Sequence, residues 1–426
     1  MVLTVPAELV GRFKGASLDI GGSLIKFVYR DIEDKDFNTN NAERGRLRLV
    51  SFPKCNLTEA LDYVRQRVDI SRNSDNDGDG TASPTVIYAT GLGVPEMAAR
   101  ISEALSVRIN FYMDEFESNT RSFVYLARRL SRQEFLEPFP VEATVEPLDE
   151  ANYVMQIFRS LPEGLFRPHQ LSNGRTFNDA LRRVMDRSAA AASLATGGNR
   201  IPLVEAEPDV FPCLTVACGS AAMYTLVDKD GKYAVVDGLN NGGSAFLGLG
   251  NIAVGAKTFT ELIELASKGD HRNVDFFNSF RAMATGESLS KQENDLYKKV
   301  ESTSSSYPLY CFGRAVGVNR DELKREDVAR AVLNYVVRDI VKSVQFLCQI
   351  HGVGRVFFYG GLCNHPFARS AVTAEFIYRM LFHRAVDEID RYVEFDFIRP
   401  GAYLGALGCA VDDVEKFIQK SFIMAL

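Results

Sequence analysis

A chain of 426 residues is too long for one compact core and fits two or three domains. Hydrophobic residues make up 46% and charged residues 24%, an ordinary balance, and a net charge of −6 excludes nucleic acid as a main partner, because its phosphates would need a basic surface. No apolar run approaches the roughly 20 residues that cross a bilayer, so no membrane span is expected.

Residues 1–14 carry Glu8, Arg12 and Lys14 and no long apolar core, so no signal peptide is read there. Residues 16–20 read as a buried strand, Gly21-Gly22 as a tight turn and residues 24–29 as the returning strand. A third strand is expected over residues 47–52. A helix is expected over 57–70, with Leu57, Leu61, Val64 and Val68 on one face. Asp75, Asp77, Asp79 and Gly80 imitate the start of a calcium loop. Its twelfth position, where a bidentate Glu is needed, holds Val86, so residues 71–83 read as a solvated loop. A strand over 85–89 runs into Thr90-Gly91-Leu92-Gly93, and Pro95 starts a helix to residue 105. After a short strand over 107–111, Asp114 caps a long helix to residue 131.

The pattern weakens over residues 138–212, which contain Pro162, Pro168, Pro202, Pro208 and Pro212. This reads as an irregular insertion with a helix over 177–195. The second half then restarts like the first. A strand over 214–218 meets Gly219-Ser220, and strands follow over 222–227 and 233–236 around the Asp230-Gly231 turn. Gly242-Gly243-Ser244 opens a glycine-rich helix. Further helices are expected over 260–267 and 326–351, then a strand over 355–359 ending in Gly360-Gly361, and an apolar helix from 403. Strand, glycine turn and strand occur twice. The expected division is therefore a first α/β unit over 1–210, with its insertion at 138–210, and a second over 211–426.

The seven cysteines show no C-x-x-C spacing and the five histidines no H-E-x-x-H, so zinc is not expected and a reducing, cytoplasmic setting fits. The glycines point to phosphate instead. Turn glycines let backbone N–H groups approach a nucleotide closely and form an anion nest. Asp19-Ile20-Gly21-Gly22-Ser23 supplies such a turn between two strands. Asp19 can orient Mg2+ directly or through water, Ser23 can donate to phosphate, and Lys26 adds charge. Gly219-Ser220 offers a second turn, and Gly360-Gly361 could pack under an adenine ring. A hairpin alone would explain any one pair; three strand-terminal sites in this order point to ATP. No P-loop is present, nor a G-x-G-x-x-G after a strand.

Seven colinear segments resemble the eukaryotic-type (type II) pantothenate kinases of the actin, sugar-kinase and Hsp70 superfamily. Residues 18–26, LDIGGSLIK, are similar to the family's LDIGGTLxK; Ala89-Thr90-Gly91 to ATGGG; and residues 113–117, MDEFE, to LDELD. Residues 242–249, GGSAFLGL, resemble GGGTFLGL, and residues 266–275, ASKGDHRNVD, resemble AAKGDSTNVD. Residues 326–331 and 403–408 resemble EDLARA and YFGAVGA. The likeness covers the chain outside residues 31–84, 137–210 and 277–309.

The resemblance implies two actin-like (ribonuclease H-like) lobes with the nucleotide site in the cleft between them. It implies ATP- and Mg2+-dependent phosphorylation of pantothenate to 4'-phosphopantothenate, the first step towards coenzyme A. Glu115 takes the place of the family's catalytic base, a role a carboxylate can fill by accepting the substrate's hydroxyl proton. Asp19, Gly21, Gly22, Ser23, Lys26, Gly219, Ser220, Gly242, Gly243, Gly360 and Gly361 fall to the nucleotide. The family is dimeric, with dimerisation elements in the second lobe.

The chain also departs from the family. The GSGxS turn reads Gly219-Ser220-Ala221-Ala222-Met223. The family's arginine, which contacts substrate and the acyl-coenzyme A inhibitor, falls at Val235, and residues 232–237 contain no arginine. Valine cannot clamp an anion, so feedback by acetyl-coenzyme A or another acyl-coenzyme A is expected to be weak, with Arg121 or Lys232 as candidate substitutes. A second ATGG at residues 195–198 lies at the wrong distance from Glu115. Three readings stay open: an active homodimeric kinase, a weakly active or inactive subunit paired with a related chain, and an ATP-binding sensor without transfer chemistry.

Overall fold

The computed structural model describes residues 1–6, 16–30, 44–68, 86–111, 114–137, 210–277, 308–387 and 393–411. The expected loop at 71–83, the helix at 177–195 and the second ATGG segment lie outside the described residues.

The first sheet contains β1 (Val2–Pro6), β2 (Ala16–Ile20), β3 (Leu24–Tyr29), β4 (Arg44–Pro53), β5 (Val86–Thr90) and β6 (Arg108–Phe111), in the order β1-β4-β3-β2-β5-β6. β2, β3 and β4 form an antiparallel meander, while β5 and β6 run parallel to β2. Strand period sets the two faces. Leu18 and Ile20 of β2, with Ile25 and Phe27 of β3, pack beneath α1 (Leu57–Arg67) and α2 (Val94–Leu105) through Leu61, Val64, Ile101 and Leu105. Ser17, Asp19 and Lys26 are left for the opposite face, which looks towards the second lobe.

α3 (Glu115–Arg129) follows β6. The second sheet begins with β7 (Cys213–Cys218), β8 (Ala222–Val227) and β9 (Tyr233–Leu239). Next come α4 (Gly243–Val254), α5 (Phe259–Lys268) and a small ribbon of β10 (Phe276–Phe277) with β11 (Pro308–Tyr310). The last described elements are α6 (Arg325–His351), β12 (Arg355–Tyr359), α7 (Pro366–Asp387), β13 (Glu394–Phe397) and α8 (Leu404–Ala410). The sheet order is β13-β12-β7-β8-β9, again a meander flanked by two parallel strands. The two sheets thus repeat one ribonuclease H-like plan, the first with β1 added at its edge. This is the two-lobed actin-like fold.

Three apolar cores result. One lies under α1 and α2. Another joins the second sheet to α4–α7 through residues such as Val216, Phe358, Val336 and Ile340. The third lies between the sheets: Val28, Leu47 and Leu49 from the first, Phe357 and Tyr359 from the second, Phe123 and Leu126 from α3, and Leu404 and Leu407 from α8. We propose residues 210/211 as the lobe boundary, although α8, beyond the second sheet in sequence, returns to pack on the first sheet. Ser17 Oγ donates to the Ala406 carbonyl at 2.5 Å, while Ser118 and Ser122 of α3 donate to the carbonyls of Gly405 and Leu404, each at 2.7 Å. Among the described residues no helix is long and apolar enough to cross a membrane.

Candidate active site

The meander places Asp19 directly opposite Lys26. Cross-strand partners share a face, and Lys26 Nζ donates to Asp19 Oδ2 at 2.7 Å. Asp19 is only 2% exposed, a burial its carboxylate tolerates because a cation neutralises it. Burial alone would lower the Lys26 pKa. The Asp19 charge, the hydrogen bond to it and the charge of Glu115 outweigh burial, and the net shift is upward. Gly405 of α8 lies against the same carboxylate. A Cβ there would sit 3.1 Å from both Asp19 Cγ and Oδ2, so the glycine lets the helix backbone seal this side of the site.

The other oxygen, Asp19 Oδ1, is buried with no hydrogen-bond partner among the described residues. A single unpartnered carboxylate oxygen suits Mg2+, which usually takes one or two protein carboxylates and completes its shell with phosphate and water. Among the described residues no cluster of three or more His, Cys, Asp and Glu side chains forms a protein-only metal cage.

Glu115 enters from α3. Asp114 is the helix N-cap, its Oδ1 accepting the Glu117 N–H at 2.9 Å, so Glu115 is the first helical residue. Burial and then the Asp19 charge raise its carboxyl pKa. Lys26 opposes them, Asp114 adds to them, and the result is about 7. The structure therefore brings Glu115 to the Asp19–Lys26 pair, from which it is far removed in sequence.

It also sets the two hairpin turns face to face. A Cβ on Gly22 would lie 3.2 Å from Ser220 Oγ, so the turn of the first sheet meets that of the second. Within the first turn the Gly21 N–H donates to the Leu24 carbonyl at 3.0 Å, leaving Gly22 and Ser23 at its exposed tip. Gly243 is placed differently from a free anion nest, while Gly242 packs on the second turn, where a Cβ would fall 2.8 Å from the Ser220 carbonyl oxygen. The N–H groups of Gly243 and Ser244 donate to the carbonyls of Gly219 and Ser220, at 2.8 and 3.1 Å. These amides thus brace the second turn. The Gly360-Gly361 pair divides in the same way. Gly360 has φ +104° and packs on the end of β7, where a Cβ would fall 2.6 Å from the Cys218 carbonyl oxygen. A Cβ on Gly361 would meet nothing within 4 Å, so the room for a ligand lies at Gly361.

Val235 lies on edge strand β9 and is 42% exposed. Of the two candidate substitutes for the family's arginine, Arg121 forms an ion pair with Glu117 one helical turn away, and the Lys232 side chain is exposed. Sequence reasoning missed one contact beside the site: Tyr233 Oη donates to Asp114 Oδ2 at 2.6 Å. No local pattern announces it, since the partners lie 119 residues apart.

Lys26→Met would leave the Asp19 carboxylate buried without its cation. Because the Lys26 side chain is 15% exposed, the loss expected is about 3 kcal/mol, at the lower end for a broken buried pair. Urea unfolding at pH 7 measures it; an unchanged midpoint would show that Asp19 does not need Lys26.

A family model described as Fumble matches residues 15–154 and 197–412. The chain is 29% identical over 213 residues to the mouse (Mus musculus) "4'-phosphopantetheine phosphatase", covering 49% of this chain and 23% of that protein. It is 25% identical over 351 residues to "Pantothenate kinase 1" of Arabidopsis thaliana, covering 81% and 73%. It is also 25% identical over 419 residues to "Pantothenate kinase 2" of the same plant, covering 92% of this chain but 38% of that protein. The match thus spans under a quarter of the mouse protein and well under half of the second plant protein. A solved ROK family glucokinase from Streptomyces griseus aligns over 93% of this chain and 97% of its own at 9% identity, with a TM-score of 0.36, too low to bear on fold or function. With the family pattern running from residue 15 to residue 412 over a doubled ribonuclease H-like scaffold, the chain belongs to the Fumble family of type II pantothenate-kinase-like proteins, as a divergent member.

Proposed function

We propose that this chain is a pantothenate kinase that transfers the γ-phosphoryl group of ATP to the primary hydroxyl of pantothenate, in the cytoplasm, opening coenzyme A synthesis. One observation carries the reading. A carboxyl with a pKa near 7, that of Glu115, stands beside the Asp19–Lys26 pair. A base poised near the working pH combines availability with proton affinity. The names of the plant relatives support the choice of substrate.

In this reading Glu115 accepts the hydroxyl proton as the substrate oxygen bonds to the γ-phosphorus and the bond to the β,γ-bridging oxygen breaks. Lys26 pairs with Asp19 and opposes the negative field on Glu115. Gly22 and Ser23 of the first turn, with Ser220 of the second, face the phosphates, and Gly361 leaves space for the base of the nucleotide. Asp19 would hold Mg2+ directly or through water, and the ion would supply charge neutralisation on the phosphates.

The test is direct. Purified chain, pantothenate and Mg-ATP should yield 4'-phosphopantothenate, detected by mass. ATP that raises the melting temperature without any product would overturn the reading.

A second reading is a weakly active subunit that pairs with a better-equipped relative. Exposed Val235 at the family's arginine position favours it, as does a mouse relative named for a phosphatase. In that case the mass of the native complex would show a second, kinase-like chain, and activity would appear only on mixing. The same position leads us to expect weak inhibition by acetyl-coenzyme A.

A further inference from the structure

α3 is held by the second lobe at two places. Near its C-terminal end the β8–β9 turn rests on it: a Cβ on Gly231 would lie 3.1 Å from a Val124 methyl, and Arg128 Nη2 donates to the Lys229 carbonyl at 3.2 Å. At its N-terminus Tyr233, two residues beyond that turn, donates its hydroxyl to Asp114 Oδ2 at 2.6 Å. The Asp114 carboxylate is thus used twice. Oδ1 caps the helix through the Glu117 N–H, and Oδ2 is tied to the other lobe. Burial and the bond to Asp114 push the Tyr233 phenol pKa up, so it stays a donor through the neutral range.

Glu115 is the next residue after this doubly held cap. The first turn of a helix frays, and the Asp114 carboxylate is its side-chain cap. A capping carboxylate that is itself anchored cannot swing, and the residue that follows inherits that fixity.

We propose that Tyr233 is a positioning residue: by donating to Asp114 it locks the first turn of α3 onto the second lobe and fixes Glu115 at the acceptor hydroxyl. The proposal rests on the reading of Glu115 as the base. A general base works only within hydrogen-bond reach of its proton, and displacements of an ångström are costly.

Tyr233→Phe removes one oxygen and keeps the ring. It should lower kcat about 10- to 100-fold, with the KM for ATP within about twofold of wild type. It should also speed amide hydrogen exchange over residues 115–118. Asp114→Ser keeps a helix cap but cannot hold the tyrosine. Adding Tyr233→Phe to Asp114→Ser should then cost nothing further in kcat, because both changes remove one bond.

Unchanged exchange over residues 115–118 in Tyr233→Phe would overturn the lock. Faster exchange with unchanged kcat, or losses that add in the double variant, would overturn the positioning role. If wild-type protein does not phosphorylate pantothenate, the kinase reading fails by itself, and the exchange comparison still decides whether Tyr233 holds α3.

Discussion

Glu115→Gln should cut kcat about 10²- to 10⁴-fold, the usual worth of a general base, and at the same time make the protein more stable at pH 8. The two effects share a cause. The folded protein holds the Glu115 carboxyl at about 7 against an ordinary 4.5, so the native state prefers it protonated. The stability this gives is full below about pH 4.5 and is lost as pH rises through 7. Above pH 7 wild type therefore carries a penalty of up to about 3 kcal/mol that glutamine, always neutral, does not carry. Urea unfolding of both proteins from pH 4 to pH 8 should show curves that meet at the acid end and separate as pH rises. The acid limb of kcat/KM in wild type should fall near pH 7. A glutamine variant that is no more stable than wild type at pH 8 would mean that Glu115 is not destabilised by ionisation. One that keeps its activity would remove it from the reaction.

The first sheet was readable because its signals are local. Residues 16–20 and 24–29 are apolar strands separated by Gly21-Gly22, and both match the observed bounds. The same holds for β8 and β12, and Asp114 caps α3 as its position in the sequence suggests. β4 runs beyond the expected residues 47–52, from Arg44 to Pro53, because β1 pairs along Arg44–Arg48, a partner distant in sequence. No element was expected at β1, α7 or β13. β1 is an edge strand with Leu3 and Val5 buried and Val2 and Thr4 exposed, and β13 alternates Glu394 and Asp396 with Phe395 and Phe397, a pattern that becomes a strand when β12 is beside it.

The site was legible to a different degree. The Asp19–Lys26 pair follows from a tight hairpin, in which residues equally far from the turn face each other. That Gly243 and Ser244 spend their amides on the second turn is a tertiary fact. So is the Tyr233–Asp114 bond, because it depends on how one sheet sits across a helix from the other.

Gly408→Ala should destabilise the protein by about 3 kcal/mol, the upper range for overpacking in a close-packed interior. A Cβ at Gly408 would overlap the Ser118 carbonyl, and it would lie 2.7 Å from Ser118 Oγ. The carbonyl is backbone of α3 and cannot rotate away as a side chain could, so α3 and α8 must separate. That separation loosens the bonds from Ser118 and Ser122 to the Gly405 and Leu404 carbonyls, which tie the two helices at the centre of the molecule. It also moves Glu115, at the start of α3, relative to Gly405, which seals Asp19. Catalysis should therefore fall beyond what the loss of folded protein explains, with kcat reduced in the fraction that remains native. Gly248→Ala gives the contrast, since its Cβ would meet nothing within 4 Å on the exposed side of α4. There the helix propensity of alanine should stabilise the protein by about 0.5–1 kcal/mol. Urea midpoints of the two variants should move in opposite directions. A Gly408→Ala protein as stable as wild type would show that α3 and α8 are not held at contact, and the route from α8 to the active site would be lost with it.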